Sequence, residues 1–207
     1  FIIAEIGGNH EGNLNYAKKL LVDAASAGAN AVKFQTYFPD KIVSKIENEE
    51  RHAHFKKFVL SIEDYIELAS LAKKNNILFM SSIWDIETLR ELDSYIDIHK
   101  IGSGDLTNYP LIKAIIQTGK PFIFSTAMAQ MSEIKETVEF IDSIDSTYIP
   151  LNKLSILQCV AMYGEPKNTY ANLNVIKELR DTFPGIIIGY SDHTEGHYAA
   201  NIAVALG

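Results

Sequence analysis

Two lysines, Lys33 and Lys100, stand inside runs that otherwise belong in a hydrophobic interior: AVKFQTY (Ala31–Tyr37) and IHKIGSGD (Ile98–Asp105). Buried charge is costly unless it is paired or used. A lysine at a strand end can snorkel its ammonium to solvent. Two of them, beside Gln35 and the Gly102-Ser103-Gly104 turn, favour a cradle for an anion. There the ammonium groups carry charge, Ser103 offers a hydroxyl, and the glycines let backbone N–H groups approach an oxyanion. Ser82 and Ser191 lie at the ends of two further apolar runs and add hydroxyls. Glu5, in the first run, can act as a base or bind a hydroxyl or metal-bound water. His193, in Ser191-Asp192-His193, is placed for metal ligation or acid–base work, against the commoner structural histidine. His197 follows at the spacing of a helical zinc pair. Gly196 between the two opposes a helical turn through both, so His197 reads as surface or support. Ser125 and Thr126 have no neighbouring base in sequence and read as strand-end hydrogen-bonding groups rather than nucleophiles.

These side chains must be positioned by seven short apolar runs. Besides the two above they are FIIAEIGGNH, ILFMSSI, PFIFSTA, LSILQCV and IIIGYSDHT. Between them lie patterns of helical period, expected at Asn15–Ala27, from Ser61 to Asn75-Asn76, and at Asp85–Leu92, Tyr109–Thr118, Ser132–Ile144, Asn172–Thr182 and Tyr198–Leu206. Gly28 closes the first of these, and Ser61 with Asp64 opens the second as a capping pair. Strand, helix, strand repeated every 20–35 residues is the rhythm of βα units. The one long interval, Phe38–Leu60, is rich in charge and reads as a solvated excursion or a substrate lid. Gly7-Gly8-Asn9-His10-Glu11-Gly12 lacks the spacing of a dinucleotide-binding turn. Polar residues at nearly every strand end, rather than at one switch point, favour a closed barrel over an open sheet. The expected fold class is therefore α/β, a (β/α)8 TIM-type barrel. It is expected to be truncated after its seventh βα unit, residues 1–207 forming one barrel domain.

Composition narrows the function classes. The 207 residues carry a net charge of −7, from 19 basic and 26 acidic residues. That argues against non-specific nucleic-acid binding and gives strand-end lysines more weight than surface ones. The single cysteine, Cys159, excludes an intramolecular disulfide, fits a reducing cytosol, and reads as a packed thiol. No apolar stretch approaches the roughly 20 residues of a membrane span, and no signal peptide is visible. A cytoplasmic location is expected.

The ordered motifs resemble one family. Ala4-Glu5-Ile6-Gly7-x-Asn9-His10-Glu11-Gly12, then Ala31-Val32-Lys33-Phe34-Gln35-Thr36, is similar to the N-terminal barrel of the sialic acid synthases. So are Lys100-Ile101-Gly102-Ser103-Gly104-Asp105 with Asn108-Tyr109-Pro110, Ser125-Thr126-x-Met128, and Gly189-Tyr190-Ser191-Asp192-His193-Thr194. The resemblance implies condensation of phosphoenolpyruvate with an open-chain 2-acetamido-sugar of the N-acetylmannosamine type. It implies that Lys33, Ser82, Lys100, Ser103 and Ser191 hold phosphoenolpyruvate. It implies that His193 binds a divalent metal, Mn2+, that polarises the aldehyde. The catalytic set it implies is Glu5, Lys33, Gln35, Tyr163 and Asp192. A second metal histidine on an eighth strand and a C-terminal antifreeze-like domain are expected beyond Gly207, with a homodimer in the full-length protein. Ala161 stands where these synthases usually carry Asn. That departure leaves open a legionaminic, pseudaminic or spore-coat polysaccharide precursor, or a barrel that binds an anionic sugar without catalysis.

Overall fold

The computed structural model describes residues 1–162, 164 and 166–207, and the chain divides into two compact units, Phe1–Lys100 and Ile101–Gly207. In the first unit, strands β1 (Ile3–Gly7), β2 (Ala31–Thr36), β3 (Leu78–Ile83) and β4 (Ile98–Ile101) pair in chain order, all parallel. In the second, β5 (Phe122–Ser125), β6 (Leu154–Cys159) and β7 (Ile187–Ser191) do the same. All seven strands fall in the seven apolar runs, and each is followed by helix, as parallel neighbours require.

The helices are α1 (Leu14–Ser26), α2 (Pro39–Ile42), α3 (Glu49–Lys56), α4 (Ile62–Lys74), α5 (Ile86–Leu92), α6 (Tyr109–Gln117), α7 (Met131–Ile144), α8 (Asn174–Thr182) and α9 (Tyr198–Ala205). Their starts follow from local chemistry. The side chains of Asn13, Asp85 and Asn108 each accept a backbone N–H of the first turn of α1, α5 and α6. Ser61 and Asp64 form the expected reciprocal capping box on α4. The apolar stripe of α6, Leu111, Ile112, Ile115 and Ile116, is fully buried. Each such side chain is worth roughly 1.5–3 kcal/mol.

The Phe38–Leu60 interval is less irregular than its charge suggests, because it folds into α2 and α3. Lys41 ties it to the start of α5, 2.7 Å from Asp85 and 2.9 Å from Glu87. His52 Nε2 lies 2.7 Å from Asp40 and links the two short helices. Gly12, at φ +72, sits so close to the Lys57 carbonyl that a Cβ there would clash. The interval therefore packs on the β1–α1 loop. No helix among the described residues is long and apolar enough to cross a membrane.

Candidate active site

Strand register decides which side chains share a face, because paired residues of parallel strands project to the same side. Glu5 pairs with Lys33, Lys33 with Met80, Gln35 with Ser82, and Ser82 with Lys100. Glu5, Lys33, Gln35, Ser82 and Lys100 therefore lie on one face of the four-stranded sheet. Phe34, Phe79 and His99 occupy the other. Lys33 and Lys100 are only 6% and 7% exposed. The Lys33 ammonium stands 2.8 Å from a Glu5 carboxylate oxygen and donates to the Ser82 hydroxyl oxygen at 3.3 Å. As an acceptor from Lys33, Ser82 keeps its own hydrogen to donate to an anion.

Two features aim the group. Gly7 has φ +52, and a Cβ there would lie 3.2 Å from Glu5 Oε1 and 3.8 Å from the Gln35 amide. Its missing side chain lets both polar groups converge over it. Behind β2, the buried Tyr65 hydroxyl donates to the Gln35 carbonyl at 2.8 Å, and burial drives its phenol far above the usual range. Tyr65 sits on the buried face of α4, and its hydrogen bond is what places it behind Gln35.

In the second unit Ser125 lies opposite Leu157, Leu157 opposite Gly189, and Cys159 opposite Ser191. Ser125, Cys159 and Ser191 share a face. Gly189 makes room for Leu157 there: a Cβ would stand 2.7 Å from Leu157 Cδ2, and that side chain would have to shift. Ser125 and Cys159 are buried, whereas Ser103, Ser191 and His193 are half-buried. Thr126 donates to the Leu157 carbonyl, a strand-end hydrogen bond rather than a nucleophile's setting.

The Gly102–Gly104 segment leads into a short helical turn. Ser103–Asp105 is a tight helical turn in which the N–H groups of Asp105 and Leu106 bond within the turn. The Ser103 hydroxyl oxygen accepts the Ala127 N–H at 3.0 Å, and its hydrogen is left to donate. Asp192, expected in the catalytic set, is engaged at one carboxylate oxygen by its own neighbours in the chain. Its Oδ1 accepts from the Tyr190 hydroxyl at 3.1 Å and from the Thr194 N–H and hydroxyl, each at 2.8 Å. Tyr190 pairs with Gln158, on the face opposite Ser191, so Asp192 turns backward. Burial, then the charge of Asp192, drives the Tyr190 phenol far above its usual range. Tyr163, expected in the catalytic set, lies outside the described residues.

His197 is exposed and stacks on Tyr198 at 5.2 Å; α9 begins after it, so no helix carries both His193 and His197. Among the described residues no group of three or more His, Cys, Asp or Glu could hold a metal ion. His193 alone does not make a metal centre.

A series of parallel βα units with ionic and hydroxyl groups at its strand ends defines an α/β protein of the parallel βα class. The family model described as NeuB family matches residues 20–207, and the chain belongs to that family. It is 40% identical to an uncharacterized protein of Methanocaldococcus jannaschii, spanning all of this chain and 59% of that one. It is 36% identical to the N,N'-diacetyllegionaminic acid synthase of Campylobacter jejuni, over all of this chain and 64% of the relative. The chain thus spans about three-fifths of these curated relatives. The crystal structure of an N-acetylneuraminic acid synthetase from Leptospira borgpetersenii, solved with citrate, superposes with TM-score 0.91 at 34% identity. That match covers 100% of this chain and 70% of the other.

Proposed function

We propose that this chain carries the phosphoenolpyruvate-handling part of a synthase that makes a sialic-acid-like nonulosonic acid. The enol carbon of phosphoenolpyruvate attacks the aldehyde of an open-chain 2-acetamido-sugar, water adds to the resulting cation, and phosphate leaves with C–O cleavage. The observation that carries this reading is the pair of lysines on one sheet face, each more than nine-tenths buried, with Ser82 beside them. Buried ammonium groups at strand ends are suited to a small, multiply charged anion, and charge-assisted bonds there are strong. Lys33, Ser82, Lys100, Ser103 and Ser191 bind phosphoenolpyruvate in this proposal. Glu5, half-exposed and already paired with Lys33, and Gln35 face the sugar and the added water.

The α/β barrel form of the βα series belongs to the same proposal. Manganese belongs to it only with donors beyond His193. The test is incubation of the purified protein with phosphoenolpyruvate and N-acetylmannosamine, following phosphate release and formation of the nine-carbon keto acid. Turnover lost to a chelator and restored by manganese is expected. Metal-independent turnover removes the metal from the reading, and no phosphate release with any acetamido-sugar overturns the reading itself. Ala161 is exposed at the end of β6 and has no side-chain polar group. It favours trying diacetamido-sugars of the legionaminic type in the same assay. Phosphoenolpyruvate binding without turnover on any sugar would favour the non-catalytic reading.

A further inference from the structure

We propose that Tyr190, acting through Asp192, is the positioning residue that sets the Ser191–Thr194 turn, and that Asp192 contributes an acceptor oxygen rather than a charge or a proton. The proposal rests on the reading that Ser191 and His193 take part in the reaction.

The turn has to be held by side chains. β7 ends at Ser191, α9 begins at Tyr198, and Glu195–His197 are exposed, so residues 192–194 have neither ladder nor helix to fix them. Into this gap Asp192 Oδ1 draws three donors: the Tyr190 hydroxyl, the Thr194 N–H and the Thr194 hydroxyl. The two bonds from Thr194 close the turn on itself. The bond from Tyr190 ties the closed turn to the strand. Tyr190 has a firm base, because it pairs with Gln158, which is buried and donates to the Ala171 carbonyl at 3.1 Å. Alternation along β7 puts Tyr190 on one face and Ser191 on the other. A bond made on the rear face therefore fixes the direction of Ser191 and His193 without competing for whatever they bind. Oδ1, already accepting three hydrogen bonds, is poorly placed to take up a proton in a reaction. It is well placed to anchor a loop, and an amide oxygen would serve equally, whereas a methyl group would not.

Asp192→Asn, Asp192→Ala and Tyr190→Phe separate the possibilities. In the phosphoenolpyruvate assay Asp192→Asn should keep kcat/KM within about threefold of wild type. Asp192→Ala should lose roughly 10- to 100-fold, mostly through a higher KM for phosphoenolpyruvate, the size expected of an ångström-scale misplacement. Tyr190→Phe should lose several-fold in the same parameter. A second measurement is independent of activity: the His193 ring resonances in histidine-labelled protein should stay in place in Asp192→Asn and move or broaden in the other two. The proposal is overturned if Asp192→Asn is as damaged as Asp192→Ala, which makes the charge or proton essential. It is equally overturned if Asp192→Ala and Tyr190→Phe leave KM and the His193 resonances as in wild type. If wild-type protein turns over no acetamido-sugar, the proposed function falls, and the resonances alone decide whether the clamp exists.

Discussion

The two units build their strand ends from different materials. In Phe1–Lys100 the shared face is ionic: Glu5, Lys33 and Lys100, with Gln35 and Ser82 between them, and both lysines buried. In Ile101–Gly207 the face shared by Ser125, Cys159 and Ser191 is uncharged, with Leu157 folded over Gly189, and Ser103 and His193 follow the ends of β4 and β7. β2 is almost wholly buried, whereas β7 is half-buried or exposed along its length. Charge is thus kept where burial makes each ionic contact strong, and neutral donors where the backbone is more open to water. Strength and direction are assigned to different parts of the chain.

That contrast predicts unequal losses, largest for the buried charge. Lys100→Ala should weaken phosphoenolpyruvate binding by roughly 10- to 100-fold, because a hydrogen bond to a charged group is worth about 1.5–3 kcal/mol. Ser191→Ala removes one neutral donor and should cost about two- to tenfold. Isothermal titration of both variants against wild type measures the difference. Equal affinity in wild type and Lys100→Ala would remove the anion cradle from the first unit. A larger loss for Ser191→Ala than for Lys100→Ala would reverse the division of labour.

The same contrast explains what could be read without coordinates. The seven strands were legible because each is a short apolar run, and the lysines because a charge in such a run has few bland explanations. Glu5, Lys33, Gln35, Ser82 and Lys100 were legible as types. Their common face was not, since it depends on register between strands far apart in sequence. The partners of Asp192 were hidden for the opposite reason. Its neighbours Ser191 and His193 are chemically suggestive, but a one-residue step along an extended chain reverses the side, and its partners Tyr190 and Thr194 are ordinary. Phe38–Leu60 read as a solvated excursion or a lid because α3 is rich in charge, a composition that hides a helix whose buried contacts are few.

A smaller effect is expected at Gly7. Its left-handed φ of +52 costs a residue with a Cβ about 1–2 kcal/mol. The new methyl would also stand 3.2 Å from Glu5 Oε1 and press the carboxylate away from Lys33. Gly7→Ala should lower the unfolding free energy by about that amount and raise KM for the sugar more than for phosphoenolpyruvate. Equal changes in the two KM values would show that Gly7 serves only the backbone of the first unit, not the convergence of Glu5 and Gln35.

The smallest effect concerns His10, in the loop after β1. Its ring is fully buried and lies 6.1 Å from Phe34; Nδ1 accepts the Gly12 N–H at 3.1 Å, and Nε2 has no hydrogen-bond partner among the described residues. Burial lowers its pKa below the ordinary 6.5, outweighing the Gly7 backbone, which favours the charged form. The unfolded chain therefore takes a proton near pH 6.5 that the folded chain refuses. Stability from the neutral imidazole is present above that pH and is lost as pH falls from there through the lowered folded-state value. Urea unfolding at pH 7.5 and 5.5 should show a drop in wild type that is smaller in His10→Asn. Comparing the drop, rather than either stability alone, cancels the cost of the substitution itself. An identical drop in both proteins would mean that His10 takes up its proton without cost, and that the loop beneath Glu5 is looser than its burial indicates.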